Sequence, residues 1–123
     1  MKVLALDYGS ARTGVAVSDP TGTIARPLEV VERASSGPGL ARVLELARAQ
    51  GVERIVVGLP VTLRGEHGAQ AQETEAFVDV LRAVLDVPVE TYDERFTSTL
   101  AGGDDAAAAA HLLSGYLLRS RES

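Results

Sequence analysis

An unbroken apolar run, Val3-Leu4-Ala5-Leu6, stops at Asp7 and leads straight into a turn from Tyr8 to Arg12. A run of this kind needs cover on both faces, so it predicts a central strand over Lys2 to Leu6. Alternation puts Val3, Ala5 and Asp7 on one face, which leaves Asp7 as the polar end of an apolar row. A carboxylate at the rim of a buried sheet is costly to desolvate unless a cation meets it. Gly9 and Gly14 bracket the turn and permit close backbone approach, and Thr13 to Ser18 returns as a second strand. Asp before a glycine is also an ordinary turn former, so this stretch alone supports a site and a plain turn equally.

Beyond the Asp19-Pro20-Thr21-Gly22 turn, Thr23 to Glu32 reads as a third strand completing an antiparallel meander. Pro27 inside it demands an edge position or a bulge. Ser36 is placed to cap a first helix that runs to about Gln50, with Leu40, Val43, Leu44 and Ala47 inward and Gly51 closing it. Ile55 to Val57, ending in Gly58-Leu59-Pro60, reads as a buried parallel strand. A loop from Val61 to Gly68 precedes a second helix extending to about Leu85, with Phe77, Val80, Leu81, Val84 and Leu85 toward the core. Val87 to Thr91 is the last strand, Tyr92-Asp93-Glu94-Arg95 ends it, and the final helix runs from Asp105 to about Leu118. Phe77 and Phe96 read as core. The order predicts an α/β three-layer fold in one domain, residues 1–123. Its five-stranded mixed sheet has three antiparallel strands, then two parallel ones, and helices on both faces. Strands one, four and five would end at a common edge, where open α/β sheets bind ligands.

Composition narrows the chemistry. There is no cysteine and only two histidines, His67 and His111, so a metal site must be built from oxygen ligands. No apolar stretch could span a bilayer, which predicts a cytoplasmic protein with no membrane partner. The net charge of −5 gives no bulk attraction to phosphate. Lys2 is the only lysine among 12 cationic side chains, and arginine suits bidentate phosphate contacts. Arg12, Arg26, Arg64 and Arg95 fall in or beside turns. An arginine bias can equally reflect genomic base composition.

Acidic residues converge on one edge. Asp7 ends the first strand, Asp93 and Glu94 end the fifth, and Asp104 and Asp105 open the last helix. On that helix Asp105, Ala109, Leu112 and Tyr116 share a stripe. Asp104 fits a helix cap, whereas Asp105 sits one position past it. Like charges gathered at a rim repel unless a cation is present. The matching cation is a hard one, Mg²⁺ or Mn²⁺, which takes carboxylates and bridges to phosphate oxygens.

Four stretches carry a family resemblance: LALDYGSARTGVAVSD, IVVGLP followed by RGEHGAQAQETEAF, VETYDERFTSTLA, and DDAAAAAHLLSGYL. Together, and in this order, they resemble the YqgF/RuvX family of RNase H-like nucleases. The resemblance implies a divalent-metal nuclease that cuts phosphodiester bonds in structured nucleic acid, RNA or branched DNA. It implies Asp7, Glu94 and Asp105 as catalytic metal ligands. It links the chain to maturation of the 5′ end of pre-16S rRNA or to Holliday-junction resolution, with partners from ribosome assembly or recombination. Arg12, Arg64 and Arg95, flanking the same edge, are the candidate nucleic-acid contacts. A resolvase cutting two strands symmetrically is expected to act as a homodimer. The segment Leu100 to Asp104 is shorter than the lysine-rich connection usual in the family, which removes cations that would grip nucleic acid.

Two other readings share these residues. Asp7, Gly9 and Gly14 also match the phosphate hairpin of actin-type ATP-handling domains, but those use two such domains closing on the nucleotide. A non-catalytic nucleic-acid or protein-binding module on the same scaffold is the nearer alternative, and joint retention of the three carboxylates weighs against it. His67 reads as a solvated loop side chain. Tyr8 and Tyr92 read as packing beside the site.

Overall fold

The computed structural model describes residues 1–60, 68–93 and 105–122, with side chains to residue 120. The elements are β1 (Val3–Asp7), β2 (Arg12–Ser18), β3 (Ala25–Glu32), α1 (Gly37–Gln50), β4 (Arg54–Leu59), α2 (Ala69–Val84), β5 (Val89–Asp93) and α3 (Asp105–Glu122). The strands form one sheet in the order β3-β2-β1-β4-β5. β1 pairs antiparallel with β2 and parallel with β4, and β4 pairs parallel with β5. This is the predicted mixed sheet, with β1 at its centre.

β1 is buried through Leu6 because both its faces are covered. Leu4 and Leu6 join Val15, Val17, Ile55 and Val57 under α1 and α2. Val3 and Ala5 join Ala16 and Val56 under α3, through Ala109, Leu112, Leu113, Tyr116 and Leu117. The residues facing α3 are mostly small, so this alanine-rich helix lies close on the sheet. Pro27 meets both of its expectations. β3 is an edge strand, and its pairing slips where Val15 faces Glu29 but Ala16 faces Pro27, leaving Leu28 as the extra residue of a bulge.

Helix α1 begins as expected: Ser36 Oγ accepts from the Gly39 amide at 3.2 Å, and Gly51 ends the helix at φ 61°. Two helix faces need correction. In α1, Leu46 is buried with Val43 and Ala47, whereas Leu44 is only half-buried. In α2 the buried arc is Ala71, Thr74, Phe77, Val78 and Leu81. Val80 and Val84 are 45% and 47% exposed, because the arc is centred on Leu81 and Thr74 and those valines stand on its margin. Most strand and helix ends shift by one or two residues, the usual range for element boundaries, and α3 runs four residues past its expected end. Among the described residues no helix is long and apolar enough to cross a membrane.

Candidate active site

The carboxyl ends of β1, β4 and β5 lie side by side, with Leu6 opposite Val57, Tyr92 opposite Gly58, and Asp93 opposite Leu59. Asp7 closes β1 and is half-buried, on the face that α3 covers. Its register partner across the hairpin is Gly14. A β-carbon on Gly14 would stand 1.7 Å from the backbone carbonyl oxygen of Asp105. Only hydrogen fits there, so the missing side chain lets the first turn of α3 settle directly on the strand beside Asp7. Asp7 and Asp105 are thereby brought together across 98 positions of sequence.

A side-chain hydroxyl and a glycine keep the β1–β2 turn tight. Gly9 and Thr13 exchange two 3.4 Å hydrogen bonds through the buried Thr13 hydroxyl, and a β-carbon at Gly9 would lie 2.4 Å from the Arg12 carbonyl. Tyr8 turns to the opposite face and stacks on Phe77 with centroids 4.6 Å apart. That contact anchors the strand end from below. Tyr92 meets Tyr116 edge-on at 5.8 Å, and burial pushes its hydroxyl pKa up. Both tyrosines pack against other aromatic rings.

Arg12 Nε donates to Asp105 Oδ2 at 3.1 Å. The two side chains are 65% and 34% exposed. Among the described residues no cation reaches the Asp7 carboxylate. Asp105 is also the acidic residue of α3's first turn, where the helix dipole favours negative charge. Glu94, Arg95, Arg64, His67, Phe96 and Asp104 lie outside the described residues. Among the described residues no three ligating side chains cluster. Asp7 and Asp105 fit a hard divalent ion through their chemistry: both offer carboxylate oxygens, and the chain has no cysteine to offer sulfur.

Sequence reasoning missed two relationships. The Arg12–Asp105 pair joins residues 93 positions apart. Far from the site, the Tyr116 hydroxyl donates to Glu90 and accepts from Arg54 Nη1 at 3.1 Å. Its only sequence signal is that Glu90 lies two residues before Tyr92, on the same face of β5.

A family model described as RuvX, Holliday junction resolvase, matches residues 1–104. A protein of Chloroflexus aggregans named "Putative pre-16S rRNA nuclease" is 48% identical over 99 residues, covering 80% of this chain and 70% of that one. A protein of the same name from Desulforudis audaxviator is 41% identical, covering 100% of this chain and 97% of its own. That alignment runs over 138 positions, so the relative carries residues with no counterpart among the 123 here. Among solved structures, Thermus thermophilus RuvC in complex with Holliday junction substrate superposes with a TM-score of 0.63 at 21% identity, covering 100% of this chain and 97% of that one. Fowlpox virus resolvase in complex with Holliday junction DNA gives 0.62 at 10% identity, covering 98% and 99%. At these identities the likeness is one of fold.

Proposed function

Because this chain belongs to the RuvX family, we propose that it is a divalent-metal-dependent nuclease acting on structured nucleic acid, and that residues 1–123 work as one RNase H-like nuclease domain. The observation that carries this reading is the seating of Asp105 on Gly14, beside Asp7. Two acidic side chains from opposite ends of the chain share one sheet edge, and their carboxylate oxygens suit a hard divalent ion. Asp7, Glu94 and Asp105 would hold Mg²⁺ or Mn²⁺. Bound there, the ions supply Lewis acidity toward a phosphate and acidify a water.

The protein's own part is placement. β1 fixes Asp7 from a buried strand, and α3 delivers Asp105 on a helix that cannot shift without opening the Gly14 contact. Glu90 and Tyr92 lie on the α3 side of β5, and Glu94 continues their parity in sequence. Arg12, Arg64 and Arg95 would hold phosphates around this edge. With a net charge of −5, affinity would depend on these few arginines rather than on a broad basic surface.

The names of the relatives favour pre-16S rRNA as substrate, and the family resemblance points to its 5′ end. The family description and the fold neighbours favour a four-way junction. The two differ in assembly: paired cuts in a junction call for two copies, whereas trimming one RNA end needs a single copy. The test compares a 5′-extended 16S-precursor RNA, single strands and a four-way DNA junction, each with and without Mn²⁺. Metal-dependent cutting of the precursor RNA is expected. Tight binding with no cutting of any substrate would instead establish a binding module.

A further inference from the structure

Asp105 holds Arg12 by one atom. Nε of Arg12 lies 3.1 Å from Oδ2, and no described group accepts from its two terminal nitrogens or donates to Asp105 Oδ1. A guanidinium bound only through Nε keeps its terminal fork free, and that fork matches two oxygens of a phosphate. The side chain is 65% exposed, so the fork is open to a large ligand. Among the described residues nothing meets the remaining carboxylate oxygen of Asp105 either. The pair is therefore built to do two things at once.

Resting on the nuclease reading above, we propose that Asp105 is also the positioning residue for a phosphate clamp, Arg12. One of its oxygens is left for the metal, while the other aims the Arg12 fork at a substrate phosphate. This extends a general pattern in which a ligating carboxylate is itself hydrogen-bonded by a neighbour. It also assigns a use to the tight turn: the Gly9–Thr13 bonds fix the backbone from which Arg12 projects. An opposite arrangement would have the guanidinium and the metal compete for Asp105. That no described group meets Oδ1 favours sharing over competition.

The experiment has a metal-free arm and a metal arm, both on the full chain. In EDTA, binding of a labelled 5′-extended RNA hairpin is measured for wild type, Arg12→Ala, Arg12→Lys, Asp105→Ala and Arg12→Ala/Asp105→Ala. Arg12→Ala should weaken binding about tenfold, the worth of one charged hydrogen-bonded contact. It should also lower the salt slope by about one. Arg12→Lys keeps the charge but not the fork, and should leave affinity close to that of Arg12→Ala. Once Asp105 is alanine, the further loss of Arg12 should matter several-fold less. In the second arm, calorimetry of Mn²⁺ on Arg12→Ala should give an affinity equal to or weaker than wild type. Additive effects in EDTA, full rescue by lysine, or several-fold tighter Mn²⁺ binding in Arg12→Ala would each overturn the clamp. Failure of the nuclease reading looks different: wild type would neither bind Mn²⁺ nor cut, whatever the metal-free arm returned.

Discussion

Gly14 lies so close beneath α3 that a β-carbon on it would stand 1.7 Å from the carbonyl oxygen of Asp105. The nearest obstacles are backbone atoms of Asp105 and Ala106, which cannot rotate away as a side chain could. Helix and strand must part if anything larger than hydrogen is placed there.

Gly14→Ala should therefore cost roughly 1–3 kcal/mol or more, the range for overpacking a core. It should also abolish cleavage, because Asp105 moves away from Asp7. Thermal unfolding and cleavage measured together check this. A variant of normal stability and normal rate would mean that α3 does not rest on Gly14.

At the other end of the same helix, Tyr116 separates stability from activity. Its hydroxyl joins Arg54 and Glu90, about three helical turns from Asp105. Tyr116→Phe removes that junction and should cost about 1 kcal/mol, since the partners are partly exposed. Cleavage under native conditions should be unchanged. Urea midpoints and rates on one preparation decide it.

The fold was legible where one residue type answers one need. Val3 to Leu6 had to be covered on both faces, and Pro27 had to lie at an edge or a bulge; both follow from backbone chemistry alone. The α2 face was misread because Ala71 and Thr74 are poor markers of burial, whereas Val80 and Val84 look like good ones. Neighbouring elements, not apolarity, chose which arc of that helix was covered. At the site, alternation along β1 placed Asp7 on the α3 face. The Arg12–Asp105 bond could not be read, because it depends on how closely α3 docks, and that closeness is set by a glycine on a different strand.

Acid stability should depend on Asp19. Its carboxylate accepts from the amides of Ile24 at 2.8 Å and Thr23 at 2.7 Å, and from the Thr21 hydroxyl. These bonds, led by that from Ile24, hold its pKa well below the ordinary value of 3.8. A depressed folded-state pKa contributes stability that is present above 3.8 and is lost as pH falls below it. Asp19→Asn keeps the acceptor oxygen but removes the titration. Between pH 5 and pH 2, taken as about the range of carboxylate titration, the variant's urea midpoint should fall less steeply than that of wild type. Parallel curves would remove Asp19 from the acid transition.

Phosphate contacts should be confined to the carboxyl edge. Arg48 lies in the last turn of α1 and is exposed on a remote surface, whereas Arg64 and Arg95 flank the edge in sequence. Arg64→Ala and Arg95→Ala should each weaken RNA binding and lower the salt slope by about one, while Arg48→Ala does neither. Equal affinities and slopes for all three would misplace the binding edge.

The central claim is that Asp7 acts through its charge in holding a divalent ion. Asparagine keeps the shape of Asp7 and loses that charge. In metal-free buffer Asp7→Asn should melt at or above the wild-type temperature, because a repelling carboxylate leaves the edge. The direct measurement is the cleavage rate of precursor RNA by Asp7→Asn and by wild type in Mn²⁺. A rate for Asp7→Asn no higher than that of wild type in EDTA is predicted; equal rates for the two proteins in Mn²⁺ would contradict the claim.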